Sequence, residues 1–133
     1  MQLINTLTLL VATVSAAAVT KRTNDWTIKD FTRTCDKTDN KCTYAYTIAT
    51  PSGSQLCKYD VTGWPASRTE VPARACGGFQ VSSAWSGQFG EGNGFTTFAV
   101  TNHDLIIWPA YSDKQIVNGK AVKPDQSYTP AKL

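Results

Sequence analysis

The sequence predicts an all-β fold, a small antiparallel sandwich or barrel of about seven or eight short strands. Three observations lead there. Short segments of period-2 alternation recur between turn residues. No stretch sustains a helical period. Four cysteines, an even number, are spread through the same region.

The N-terminus stands apart from that domain. Leu3 to Ala18 is mostly apolar, broken by Asn5, Thr6, Thr8, Thr13 and Ser15, and ends in Ser15-Ala16-Ala17-Ala18. A short apolar run closed by small residues suits a signal peptidase, so Met1–Ala18 is expected to be a secretory signal peptide, although no Lys or Arg precedes the run. It is too short and too rich in threonine to span a bilayer, which needs about 20 apolar residues. Lys21-Arg22 follows, a dibasic pair of the kind processing proteases cut, which makes Val19–Arg22 a short pro-segment. The expected secreted β domain is Thr23–Leu133, with cleavage after Ala16 or Ala18 as the other possibilities. Cutting after Arg22 removes 22 of 133 residues and leaves 111. It also takes 13 basic residues to 11 against 10 acidic ones, a net charge near +1. No basic stripe is left to neutralise phosphates, so no nucleic-acid partner is expected.

Within the domain, alternation starts at Trp26-Thr27-Ile28 and runs through Phe31 towards Cys35. Asp36 to Lys41 is a polar turn. Cys42 to Thr50 is the clearest strand, with Cys42, Tyr44, Tyr46 and Ile48 on one face and Thr43, Ala45, Thr47 and Ala49 on the other. A turn at Pro51-Ser52-Gly53-Ser54 leads to Leu56–Thr62, where Cys57, Tyr59 and Val61 share a face. Phe79–Trp85 and Phe95–Val100 are strands joined through the glycine-rich segment Gly87–Gly94. Leu105–Trp108 is a short strand stopped by Pro109. Gln115–Val117 and Lys120–Val122 flank Asn118-Gly119, which signals a type I′ hairpin.

In an oxidising compartment Cys35, Cys42, Cys57 and Cys76 form two disulfides. A hairpin about the polar turn places Cys35 opposite Cys42, close enough to bridge. The next hairpin holds Cys42 and Cys57 near opposite ends of paired strands, too far apart. Cys35–Cys42 with Cys57–Cys76 is therefore the favoured set. A zinc site is not expected, because the spacings are not those of metal ligands and His103 is the one histidine. There is no N-glycosylation sequon.

Catalytic motifs are lacking: zincin, P-loop, dinucleotide and nucleophile-elbow patterns are all missing. His103, followed by Asp104, lies between two strands, and the sequence supplies no partner for it as a general base, so a solvated turn histidine is expected. Glu70 and Glu91 fall in loops, which leaves a two-carboxylate glycosidase site open. No catalytic residue, metal or cofactor is assigned. Among the tryptophans, Trp26, Trp85 and Trp108 lie on strands and are expected to fill the core. A sugar-binding reading instead places Trp64, in Gly63-Trp64-Pro65, and Tyr111 on the surface as stacking platforms.

Several stretches carry a resemblance. They are Trp26-Thr27-Ile28 with Phe31, Cys35 and Cys42; Cys57 to Gly63; Val81 to Gly90; Gly94 to Thr97; Ile107 to Lys114; and Val122 to Pro130. Together they resemble small secreted proteins of filamentous fungi, a family labelled hypersensitive-response-inducing or elicitor-like. The resemblance covers essentially the whole domain, but its motifs are structural and bring no active site. It implies an all-β secreted fungal protein that plants perceive.

Three functions follow. The first is a non-enzymatic secreted elicitor or effector perceived by a plant receptor. The second is a module that binds carbohydrate or cell-wall polysaccharide, marked by a planar row of exposed aromatics. The third is a small hydrolase or ribonuclease, in which His103 would meet a carboxylate and an arginine in one cleft. For recognition the candidate surface is the loop Gly63–Ala75, with Trp64, Arg68, Glu70 and Arg74, lying inside the ring closed by Cys57–Cys76. An ordinary solvated connector is the alternative for that loop.

Overall fold

A computed structural model describes residues 22–133. The expected signal peptide and all of the pro-segment except Arg22 lie outside the described residues. The chain forms β1 (Trp26–Cys35), β2 (Lys41–Thr50), β3 (Gly53–Thr62), β4 (Val71–Cys76), β5 (Phe79–Ser86), β6 (Phe95–Asn102), β7 (Leu105–Ile107), β8 (Ala110–Ser112), β9 (Gln126–Tyr128) and β10 (Ala131–Lys132). One sheet has the order β3-β2-β1-β9; the other has β10-β7-β6-β5-β4, with β8 also paired to β6. All pairings are antiparallel.

Alternation decides which faces meet. On β2 the inward set is Cys42, Tyr44, Tyr46 and Ile48, and on β3 it is Cys57, Tyr59 and Val61, all buried. From the second sheet Phe79, Val81, Phe98, Val100 and Ile107 face them. Phe31 sits at the centre of the aromatic packing: its ring stacks on Tyr111 at 4.1 Å and meets Phe98 edge-on at 5.3 Å. A buried aromatic in such a pair contributes through lost apolar surface and through about 0.5–1.5 kcal/mol of ring geometry.

β1 does not keep one parity. Trp26 and Ile28 face inward, and then Phe31 and Arg33 do. Lys29 pairs with Thr47 but Thr32 with Ala45, so Asp30 and Phe31 together oppose one residue, Tyr46. Asp30 takes φ 54° there. This β-bulge flips the strand's faces.

Both disulfides form as expected. Cys35 and Cys42 are a directly opposed pair with Cα atoms 3.9 Å apart. Cys57–Cys76 joins β3 to β4, the neighbouring edges of the two sheets. On the chain-entropy argument, closing loops with separations of 19 and 7 residues contributes about 3 and about 2.5 kcal/mol. The opposite side of the sandwich is closed by the chain itself, which passes from β9 on one sheet to β10 on the other.

Several expectations are corrected. The connection between β2 and β3 is the two-residue turn Pro51-Ser52, and Gly53 already pairs with Thr50. Residues 115–122 are not a hairpin: 3-10 turns occupy Asp113–Gln115 and Val117–Gly119. Asn118 and Gly119 do take positive φ, 57° and 72°, as the turn signal requires. Their flanks are claimed by the body of the protein instead, because Ile116 is fully buried and Val122 N–H donates to the Phe31 carbonyl at 3.0 Å. Trp108 is not core; it is 54% exposed, because Ile107 and Pro109 on either side take the buried positions. Tyr111 is no surface platform, being 1% exposed beneath Phe31. The expected loop Gly63–Ala75 holds a 3-10 turn at Ala66–Arg68 and most of β4. Among the described residues no helix is long and apolar enough to cross a membrane.

Candidate functional site

The bulge on β1 brings a cation into the interior. Arg33, 7% exposed, occupies the inward position after Phe31. Its Nη1 donates to the Ser67 carbonyl at 3.3 Å and to Asp113 Oδ1 at 3.2 Å. Asp113 opens the 3-10 turn after β8, which is fixed by a capping box between Ser112 and Gln115. Its other oxygen, Oδ2, accepts from the indole Nε1–H of Trp85 at 2.9 Å. Both carboxylate oxygens are therefore engaged, as a partly buried charge requires. Tyr44 belongs to the same neighbourhood: burial pushes its hydroxyl above the ordinary value, against the pull of the Arg33 guanidinium.

Trp85 lies at the inward parity of β5 but at the end of the sandwich, so it is half-buried rather than core. Glycines hold the loop tightly against it. A Cβ at Gly87 would stand 2.5 Å from the ring, and one at Gly94 would stand 2.6 Å from it. Above the indole lies the Arg68 guanidinium, 4.5 Å from the ring centroid. Arg68 Nη1 also approaches Glu91 Oε1 at 3.8 Å, an exposed pair of small energetic weight. Trp85, Arg68, Glu91 and Asp113, with Lys114, Val117 and loop glycines, line an open groove of about 640 Å³.

Of the four residues expected to form a recognition surface, one lines this groove and three do not. Arg68 enters this groove. Arg74 stacks over Tyr59 at 4.6 Å, on the side closed by Cys57–Cys76. Trp64 is 89% exposed, and Glu70 is exposed with no ion pair among the described residues. His103 is exposed in the two-residue turn between β6 and β7, and its neighbour Asp104 pairs with Lys132 at 3.6 Å. The groove that gathers arginine and carboxylates does not contain it. The acidic and thiol group formed by Cys35, Asp39 and Cys42 has its sulfurs joined in a disulfide.

Sequence reasoning had not singled out Arg33, Trp85, Asp113 or Lys114 as members of a site. A charged residue at an inward strand parity was a usable signal for Arg33. Nothing local pairs it with Asp113, which lies 80 residues away.

The family model described as Effector TSP1 matches residues 27–133, which include both disulfides and the whole groove. The chain belongs to the Effector TSP1 family. A relative from Hypocrea virens (strain Gv29-8 / FGSC 10586), itself named Effector TSP1, is 43% identical over 113 residues, covering 82% of this chain and 77% of the relative. The fungal effector likeness read from the sequence is thus the family itself, and the Effector TSP1 match takes in every strand from Thr27 onward.

Proposed function

We propose that this protein is a secreted, non-catalytic fungal effector that a plant host perceives, eliciting a hypersensitive or defence response. The observation that carries this reading is the stretch after β3. There an almost fully exposed Trp64 and a stacked Arg68 are presented on a scaffold tied by Cys57–Cys76. Aromatic and arginine side chains suit recognition, and a backbone segment closed into a ring by a disulfide has less freedom to lose on binding. Family membership supports the effector role, and the disulfides suit an oxidising compartment outside the cell. A row of sugar-stacking aromatics finds less support, since Tyr111, one of its two expected platforms, is buried.

The test is leaf infiltration with the Trp64→Ala/Arg68→Ala double variant and with His103→Ala, each first shown to keep its circular dichroism. The double variant should lose most of the response at matched dose, and His103→Ala should keep it. An undiminished response to the double variant removes this surface as the contact. Collapse on losing His103 alone would point to hydrolysis, since acid–base groups typically contribute about 10²–10⁴-fold. N-terminal sequencing of protein from culture medium should start at Thr23; a start at Met1 would end the claim of secretion.

A further inference from the structure

We propose that the groove beside Trp85 is a binding site for a small organic anion: a carboxylate carried on a ring. This goes beyond host perception, and it concerns what the protein itself takes up. Its volume, about 640 Å³, falls among sites that hold small molecules. The charges in it are not equally free. Asp113 has both oxygens engaged, by Arg33 and by the Trp85 indole. Glu91, with its side chain 91% exposed, touches Arg68 only loosely. Lys114 has no ion pair among the described residues. With Asp113 answered by Arg33, Arg68 and Lys114 stand against Glu91 alone, so the groove carries one cation in excess.

The form of that cation narrows the ligand further. The Arg68 guanidinium already sits over the Trp85 ring, its central carbon 4.5 Å from the centroid, so its position is restricted before anything binds. A planar guanidinium fork matches a carboxylate with two parallel hydrogen bonds. Val117, 49% exposed, provides an apolar wall for the ring. Gly90 and Gly92 leave open space where side chains would otherwise stand, so a ligand can come close to the backbone. The Gly90 amide and carbonyl are already bonded to Gly87 and Asn93, which leaves the Gly92 backbone to meet a hydroxyl group. Two sources share this chemistry: a uronic-acid saccharide and a hydroxybenzoate.

Titration of the isotope-labelled protein, followed by nuclear magnetic resonance, separates them. The probes are trigalacturonic acid, 4-hydroxybenzoate, neutral galactotriose, inorganic phosphate and hexaglutamate. At least one ring carboxylate should shift the Trp85 indole N–H and the Gly90 and Gly92 amides, and galactotriose should shift none of them. Which of the two binds identifies the source. Arg68→Lys should weaken binding about tenfold, because the charge stays and the fork is lost. Lys114→Gln should weaken it to a similar degree, and Trp64→Ala should leave it unchanged. Phosphate binding as tightly as the ring carboxylates would overturn the proposal in favour of a general anion patch, and hexaglutamate doing so would overturn it in favour of an acidic peptide. So would the absence of shifts with both ring carboxylates, or an unaffected Arg68→Lys. No host tissue is involved, so failure here is distinct from failure of the leaf response.

Discussion

Phe31 and Arg33 stand two residues apart on β1 and face the same interior, yet they serve different ends of the molecule. Phe31 is enclosed by Tyr46, Phe98 and Tyr111 and makes no demand beyond shape. Arg33 must be answered by a carboxylate, and Asp113 answers it. The apolar side holds the sheets together through area alone. The charged side holds Asp113, which in turn fixes the indole that Arg68 lies on. A sandwich can thus spend one end of its interior on stability and the other on placing a surface.

Raising the pH should break that contrast most completely. Burial pushes the hydroxyls of Tyr44, Tyr46, Tyr59, Tyr111 and Tyr128 above their ordinary values, Tyr59 up to about 12. The unfolded chain releases these protons near pH 10. The folded chain holds them longer, so above pH 10 the native state binds more protons and stability falls with rising pH. Stability should be unaffected by these groups below pH 10 and lost progressively through pH 12. Circular dichroism recorded with tyrosinate absorbance checks it; ionisation of all five tyrosines near pH 10 with the fold intact would contradict it.

Phe31→Ala attacks the apolar side alone. It should cost about 4 kcal/mol, the usual toll of a large cavity among rings, measured by denaturant unfolding. Asp113→Ala attacks the charged side by stranding Arg33. With the Asp113 side chain 31% exposed, a loss of about 2 kcal/mol is expected. Replacing Arg33 by Met at the same time should recover part of it, since the stranded charge then goes too. If the double variant is worse than Asp113→Ala, the pair is not what keeps Arg33 tolerable. The smallest effect should come from Gly94→Ala, about 1 kcal/mol, as the new methyl group pushes on the Trp85 ring and Asp113. Its clearer readout is a change in Trp85 fluorescence, with the aromatic core around Phe31 undisturbed.

The sequence disclosed the apolar side better than the charged one, for a physical reason. Period-2 rows such as Cys42, Tyr44, Tyr46 and Ile48 declare their own buried face, and two opposed hairpin cysteines declare their bond. β4 was hidden by Pro72 and by a register shift between Val71 and Arg74. β8, β9 and β10 are only two or three residues long, too short for any periodicity. Asn118-Gly119 misled because its backbone signal is right, and Lys120 N–H does bond the Val117 carbonyl across it. Beyond that turn, however, Ile116 is buried in the core and Val122 bonds Phe31 on β1, so no ladder follows. Within the candidate surface, Arg68 and its loop were legible as a polar stretch with aromatics. Its partners Trp85 and Glu91 were not, because a groove between distant segments leaves no local pattern.

The pairing of β1 with β9 has a consequence for how the protein is made. The hydroxyls of Thr27 and Ser127 meet at 2.8 Å across 100 residues of sequence, and Thr129 bonds Asp25 across 104. Such non-local contacts slow folding, because a long loop must close before they return anything. At about 5–20 residues per second of synthesis, β1 waits roughly 5–20 s for its second neighbour. During that interval β1, with β2 on one side only, is a sheet margin able to recruit a strand from another chain. The hazard of mispairing is therefore greatest before the chain is finished, and it ends when the strand made almost last takes its place beside the one made first.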